Sequence, residues 1–280
     1  MLPNKHHDPV DGFRWRSHEI TRIEGFSDAV FGFAVTLLIV SLEVPRTSTE
    51  LLATMRGFGP FVITFMILAG MWYMQHTFFR RYGLEDRVTV VLNLVLLFTV
   101  LFFVYPMKFL FTTMFTRLLT RAPAVTATAH GIELMILPQH RPLIFMIFGG
   151  GFTAVFLVFV LLYRHAYKQR DKLGLNEFEI YETRHSIRRM LISMGVGVTY
   201  FAIAAMEGMP TRTNADKRQV STVSMAILVI LVILLAVMMR SLIERRRVSR
   251  EWKSRSSIHT DGLLSDAQPS ASAAERESLP

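Results

Sequence analysis

The sequence predicts an all-α integral membrane protein with six transmembrane helices and both termini cytosolic. Three observations carry that prediction. Six near-continuous apolar runs cover about residues 22–45, 57–79, 88–112, 143–163, 190–206 and 220–239, each close to the ~20 residues a helix needs to cross a bilayer. The chain is 51% hydrophobic and only 19% charged, below the charge content of ordinary soluble domains. With the N-terminus inside, 22 of the 31 lysines and arginines fall in cytosolic segments, which is the bias that orients membrane helices.

The remaining composition narrows the class. The net charge of +9 fits a membrane surface rather than nucleic acid, because its carriers flank the apolar runs. There is no cysteine, so no disulfide framework exists. Residues 1–21 form a cytosolic N-terminal segment without the apolar core of a cleavable signal. The adjacent His6 and His7 lack further ligands nearby and read as solvated tail. No cofactor and no resident metal are expected.

The first span organises the rest. It reads R-I-E-G-F-S-D-A-V-F-G-F-A-V-T-L-L-I-V-S-L-E-V-P over residues 22–45 and carries an acid, Asp28, near its cytosolic end. Wound at about 100° per residue, it places Arg22, Phe26, Ala29, Leu37, Val40 and Val44 within about 40° of Phe33, and Thr36 about 60° to one side. Asp28 falls about 140° away, near Phe31, Val35 and Ile39, and is expected to point into neighbouring helices. An ionisable side chain at this depth requires partners.

The other elements follow in order. The second span, 57–79, ends in Trp72, His76 and a pair of arginines. The third, 88–112, contains Asn93 and Pro106, where a kink is expected. Residues 117–141 interrupt with Pro, Thr, His and Ala, and a short interfacial helix is expected over 131–137. The fourth span, 143–163, holds Gly149, Gly150 and Gly151, which suit close helix packing or a bend. Residues 164–189 read as a charged cytosolic extension and linker. The fifth span, 190–206, is the shortest. Its G-V-G-V-T-Y has the wrong order for a T-V-G-Y-G filter loop and reads as helix. After 220–239, the residues 241–280 form a basic and then disordered Ser/Ala-rich tail. Residues 22–240 thus make one transmembrane domain.

Alternating orientation brings several polar residues to one level. Ser27 and Asp28 on the first span, Trp72 and His76 on the second and Asn93 on the third all lie roughly 6–12 Å inside the cytosolic boundary. Trp, His and Asn can each donate to a buried acid. The spacing therefore reads as an inter-helix hydrogen-bond clasp that holds the first helix in register.

At these residues the chain resembles the transmembrane protein 175 family of potassium-permeable channels. The family signature is an arginine, three residues, then Phe-Ser-Asp, matched here by Arg22, Phe26, Ser27 and Asp28. The following A-V-F-x-x-A-x-T-L-L is similar to the family's first helix, and Trp72, His76 and Asn93 fall where relatives place partners of the motif. The resemblance covers about residues 16–112 by motif and the rest by number and hydropathy of spans. It implies a cation channel without a carbonyl selectivity filter, whose first helices line the pore with rings of bulky apolar residues. With no internal duplication, the chain is similar to the prokaryotic single-repeat form, which implies a homotetramer. By position, Phe33, Thr36, Leu37 and Val40 would face the pore. Two departures stand out: Phe33 where relatives usually carry isoleucine or leucine, and Gly32 where alanine is commoner. The 117–141 insertion is also unusual for the family.

The implied setting is the cell membrane, with potassium ions, other copies of the chain and membrane lipid as partners, including anionic lipid at the basic C-terminal segment. The alternative is a proton-coupled secondary transporter using the Asp28/His76 cluster. Carriers favour broken helices around a midplane site in repeated halves, and neither feature is present. An enzyme is not expected: neither H-E-x-x-H nor G-x-S-x-G occurs.

Overall fold

Helix starts in this chain are written by short polar signals. Thr21 and Glu24 form a reciprocal capping box, with Thr21 N–H donating to Glu24 Oε2 at 2.9 Å and Glu24 N–H to Thr21 Oγ1 at 3.2 Å. Asn176 and Glu179 repeat the arrangement, with bonds of 3.0 and 2.8 Å. Asp86 accepts from the Val88 N–H and from the Thr89 hydroxyl. Each signal satisfies N–H groups that a helix N-terminus leaves open.

The computed structural model describes residues 13–17, 19–40, 46–56, 58–120, 125–128 and 131–207. The helices below belong to a unit spanning Trp15–Leu235; a second unit, Met1–Arg14 with Ala236–Pro280, falls almost wholly outside the described residues. The elements are α1 (Arg22–Val40), α2 (Ser48–Arg56), α3 (Phe58–Tyr82), α4 (Arg87–Thr120), β1 (Val125–Thr128), β2 (Gly131–Leu134), α5 (Arg141–Lys168) and α6 (Glu177–Glu207). Among the described residues, five helices are long and apolar enough to cross a membrane: α1, α3, α4, α5 and α6. The sixth expected span, 220–239, and the tail 241–280 lie outside the described residues, as do residues 41–45 of the first.

Several expectations are corrected. The segment expected as a short helix over 131–137 instead supplies β2, paired antiparallel with β1 in the register Val125↔Leu134 to Thr128↔Gly131. Its β-branched Val-Thr-Ala-Thr partner favours a pleated pair over a helix. Among the described residues, the elements are helices apart from this hairpin. The presumed linker 164–189 is mostly helix: α5 runs on to Lys168 and α6 already begins at Glu177. α4 continues through Pro106 to Thr120 as one helix. α2, between the first two spans, was not expected at all.

The non-local reason for the long start of α6 is Arg16. Its guanidinium donates to the carbonyls of Leu173 (3.0 Å) and Arg81 (3.1 Å) and to Glu179 Oε2 (2.7 Å), while its backbone N–H donates to the Arg80 carbonyl at 3.0 Å. One arginine thus ties the segment entering α1 to the end of α3, the α5–α6 turn and the cap of α6. Beside it, Tyr82 and Thr183 share a buried hydroxyl bond of 2.7 Å. His165 Nε2 lies 2.9 Å from Asp86 Oδ2, joining α5 to the α3–α4 turn. Burial alone would raise the Asp86 carboxyl, but the Thr89 bond and the facing imidazole outweigh it and hold the group below its ordinary value.

The core is aromatic and lies among α3, α4, α5 and α6. Phe103 of α4 meets Phe148 of α5 at 5.2 Å, and Phe148 meets Tyr200 of α6 edge-on at 5.8 Å. Among the described elements α5 and α6 share the most extensive helix contact, and α1 packs chiefly on α3 and α4. Glycine sets the α5–α6 spacing: a Cβ at Gly149 would stand 2.9 Å from the Tyr200 ring and 3.0 Å from the Phe201 backbone nitrogen, whereas at Gly150 the nearest atoms are 3.8 Å away. Gly149→Ala is accordingly expected to destabilise the folded protein by about 1–3 kcal/mol through overpacking. Gly150→Ala should be close to neutral. Thermal unfolding of the two variants in one detergent checks the contrast, and equal losses would contradict it.

Candidate functional site

α1 has two unlike faces. Its inner face, Glu24, Ser27, Phe31, Ala34 and Leu38, is buried against α3 and α4. Its outer face carries Phe26, Phe33, Thr36 and Val40, all exposed, with Phe33 at 56% and Val40 at 72%, and Ile39, expected on the side of Asp28, is exposed as well. Phe31, two residues from Phe33, is only 4% exposed. Leu37 lies at the border of the two faces. The outer face continues past Ala29 and Gly32 to Arg22, which is exposed at the N-terminal end of α1. Thr36 Oγ1 donates to the Gly32 carbonyl at 3.0 Å, so the hydroxyl stays on the helix and presents its lone pairs outward.

The polar residues near the N-terminal end of α1 form two separate arrangements rather than one clasp. The first is buried and directional. Gln75 Nε2 of α3 donates to Asn93 Oδ1 of α4 (3.2 Å), Asn93 Nδ2 donates to Ser27 Oγ of α1 (2.8 Å), and Ser27 Oγ donates to the Ile23 carbonyl (2.7 Å). Three helices are thereby linked by one donor-to-acceptor chain ending in backbone. The second lies at an exposed edge. Trp72 Nε1 donates to Asp28 Oδ1 at 2.7 Å, and the Trp72 ring stacks on His76 with centroids 5.4 Å apart. Asp28 meets a neighbouring helix through the indole while remaining exposed, which modifies the expectation that it points inward. His76 and Asn93 belong to different arrangements, one at the exposed edge and one in the buried chain.

Two members escaped the sequence reading. Gln75 is an amide inside an apolar span, a signal in itself because an unpaired polar group is costly there. Glu24 was announced by the T-x-x-E spacing from Thr21. Besides capping α1, it lies 3.9 Å from Arg80 Nε, so the start of α1 is anchored to the end of α3.

This arrangement can do two things. It fixes the rotation of α1 about its own axis, because two arrangements grip adjacent residues from different helices. Among the described residues it also leaves one apolar, hydroxyl-bearing face of that helix exposed. The resulting geometry is a rigidly oriented helix presenting a stripe.

Comparisons with known proteins address the same region. The family model described as the endosomal/lysosomal potassium channel TMEM175 matches residues 22–104. A potassium channel of Marivirga tractuosa is 38% identical over 202 residues, spanning 70% of this chain and 78% of that protein. A potassium channel of Chamaesiphon minutus is 27% identical over 194 residues, spanning 66% of this chain and 84% of the other. Among solved structures, a variant of the potassium channel MtTMEM175, crystallised with a nanobody–MBP fusion protein, superposes with a TM-score of 0.68 at 34% identity over 83% of this chain and 97% of that one. A TMEM175 homologue from Chamaesiphon minutus shares the fold, with a TM-score of 0.52 at 23% identity over 78% and 96%. With its apolar helices and with relatives matched over most of their length, this chain is a multi-pass membrane protein of the TMEM175 family.

Proposed function

We propose that the chain is a potassium-permeable cation channel of the cell membrane. Four copies assemble around one axis, and α1 of each copy lines the pore with Phe33, Thr36, Leu37 and Val40. The observation that carries this reading is the division of α1: among the described residues its inner face is packed and hydrogen-bonded, while Phe33, Thr36 and Val40 of the outer stripe are exposed and Leu37 stands at its border. A single stripe cannot enclose a conduit, but four around a closed symmetry axis can. The rings of Phe33, Leu37 and Val40 are apolar and restrict ions by excluding the water that hydrates them, with the Thr36 hydroxyls between them; no ring of backbone carbonyls is needed. The ion itself is inferred from the relatives, which are named potassium channels. Anionic lipid at the basic segment after residue 240 belongs to the same proposal.

The carrier alternative gains nothing from the geometry. The bond that holds Asp28 comes from the Trp72 indole N–H, which carries no exchangeable proton for a relay, and not from the neighbouring His76 imidazole.

Purified protein in potassium-loaded liposomes is expected to release potassium down its gradient without a proton gradient, and to scatter light as a tetramer in detergent and nanodiscs. Potassium movement strictly coupled to protons, or a monodisperse monomer, would overturn the proposal.

A further inference from the structure

The outer end of α1 meets a charge that the pore-lining residues do not include. Lys108 lies on α4, about 31 Å of helical rise beyond Arg87, which is the thickness of the hydrocarbon layer. Its Nζ donates to the backbone carbonyl of Leu38 at 3.2 Å. Leu38 stands in the last described turn of α1, beside Leu37 and two residues before Val40. The half-buried aliphatic stem delivers the ammonium to a backbone carbonyl of the last described turn of α1.

The electrostatic setting follows from direction. α1 starts at the cytosolic side, so its C-terminal end, where the backbone dipole is negative, faces outward. Several such ends around one axis would draw cations to an outer mouth. An ammonium within hydrogen-bond distance of each opposes that field. Through-space charge at a low-dielectric mouth changes the local concentration of permeant ions without touching them.

We propose that Lys108 sets cation throughput at the outer mouth: its charge depresses entry of cations from outside while leaving outward flow less affected. This rests on the reading of α1 as the pore helix. Lys108 lies behind the stripe, on the packed side of α1, and therefore acts by its field and not by contact with the ion.

Substitution by glutamine removes the charge while keeping an N–H donor on the side chain. In planar bilayers with symmetric potassium at about 20 mM, Lys108→Gln is expected to raise inward current about twofold or more over wild type, and the excess should shrink toward none at about 1 M salt as screening sets in. Lys108→Arg should behave as wild type. Because the chain has no cysteine, Lys108→Cys offers a second route if the glutamine variant fails to assemble. Modification after assembly with an aminoethyl thiosulfonate restores a positive charge and should restore wild-type rectification, whereas a neutral hydroxyethyl reagent should not. Unchanged rectification in Lys108→Gln at low salt, a change indifferent to salt, or equal effects of the two reagents would overturn the inference. If wild type itself carries no potassium current, the pore reading fails instead, so the two failures are distinguishable.

Discussion

Replacing Phe33 by alanine is expected to raise potassium conductance severalfold and to lower the potassium-to-sodium permeability ratio. Phe33 stands on the uncovered face of α1, 56% exposed in the protomer. Four phenyl rings around one axis would form the bulkiest layer of the stripe. Such a ring opposes conduction chiefly by dewetting, so shrinking it admits hydrated ions and blurs the distinction between them. The rings also present electron-rich faces, whose attraction for a desolvated cation is worth about 0.5–2 kcal/mol, and alanine removes that too. Phe31 supplies the contrast. It is 4% exposed and packs inward, so Phe31→Ala costs about 3–5 kcal/mol of stability and leaves permeation of the surviving channels unchanged. Bilayer recording under bi-ionic conditions decides between the faces. Wild-type selectivity in Phe33→Ala together with altered selectivity in Phe31→Ala would place the pore on the other side of α1.

Asn93→Leu should lose more stability than any other single change in the polar arrangements. It strands Gln75 Nε2 and removes the donor to Ser27 in a fully buried setting, at about 1–3 kcal/mol for each orphaned group. The Ser27 hydroxyl keeps its bond to the Ile23 carbonyl, which limits the loss on that side. Adding Gln75→Leu should recover part of the loss, because replacing both partners by apolar groups leaves no donor unsatisfied. Asp28→Ala should cost less, since the indole it abandons sits at an exposed edge. The unfolding temperatures of the three variants and the double variant, measured on purified protein in one detergent, give the ranking. An Asn93→Leu protein as stable as wild type, or a double variant weaker than the sum of its parts, would show that the chain of amides does not hold α1.

What the sequence made legible, and what it hid, follows from the range of the forces involved. The stripe on α1 could be read because periodicity is local: residues about 100° apart sort themselves onto faces without knowledge of neighbours, and Phe31 and Phe33 fall on opposite sides in the structure. Opposed helix directions likewise placed Ser27, Asp28, Trp72, His76 and Asn93 near one level. Which of them bond was not legible, because hydrogen bonding depends on rotations between helices. Gln75, adjacent to His76, takes the place in the buried chain that the histidine was expected to share. The start of α6 was hidden for a similar reason. Residues 177–189 are charged enough to look like solvated linker, yet Glu179 is buried because Arg16, far away in sequence, reaches it. The hairpin at 125–134 was missed because its pairing is non-local, while Gly131–Leu137 taken alone carries an apolar pattern short enough to suit either a strand or a helix.

The most direct test of the account uses the absence of native cysteine. Single cysteines placed at each position from 31 to 40 of α1, assembled in bilayers and exposed to a permeant silver or charged thiosulfonate reagent, report which face the ions pass. The account predicts loss of current on modification at positions 33, 36, 37 and 40, with Phe31→Cys, Ala34→Cys and Leu38→Cys unaffected. Block at 31, 34 and 38 with none at 33, 36 and 40 would contradict it.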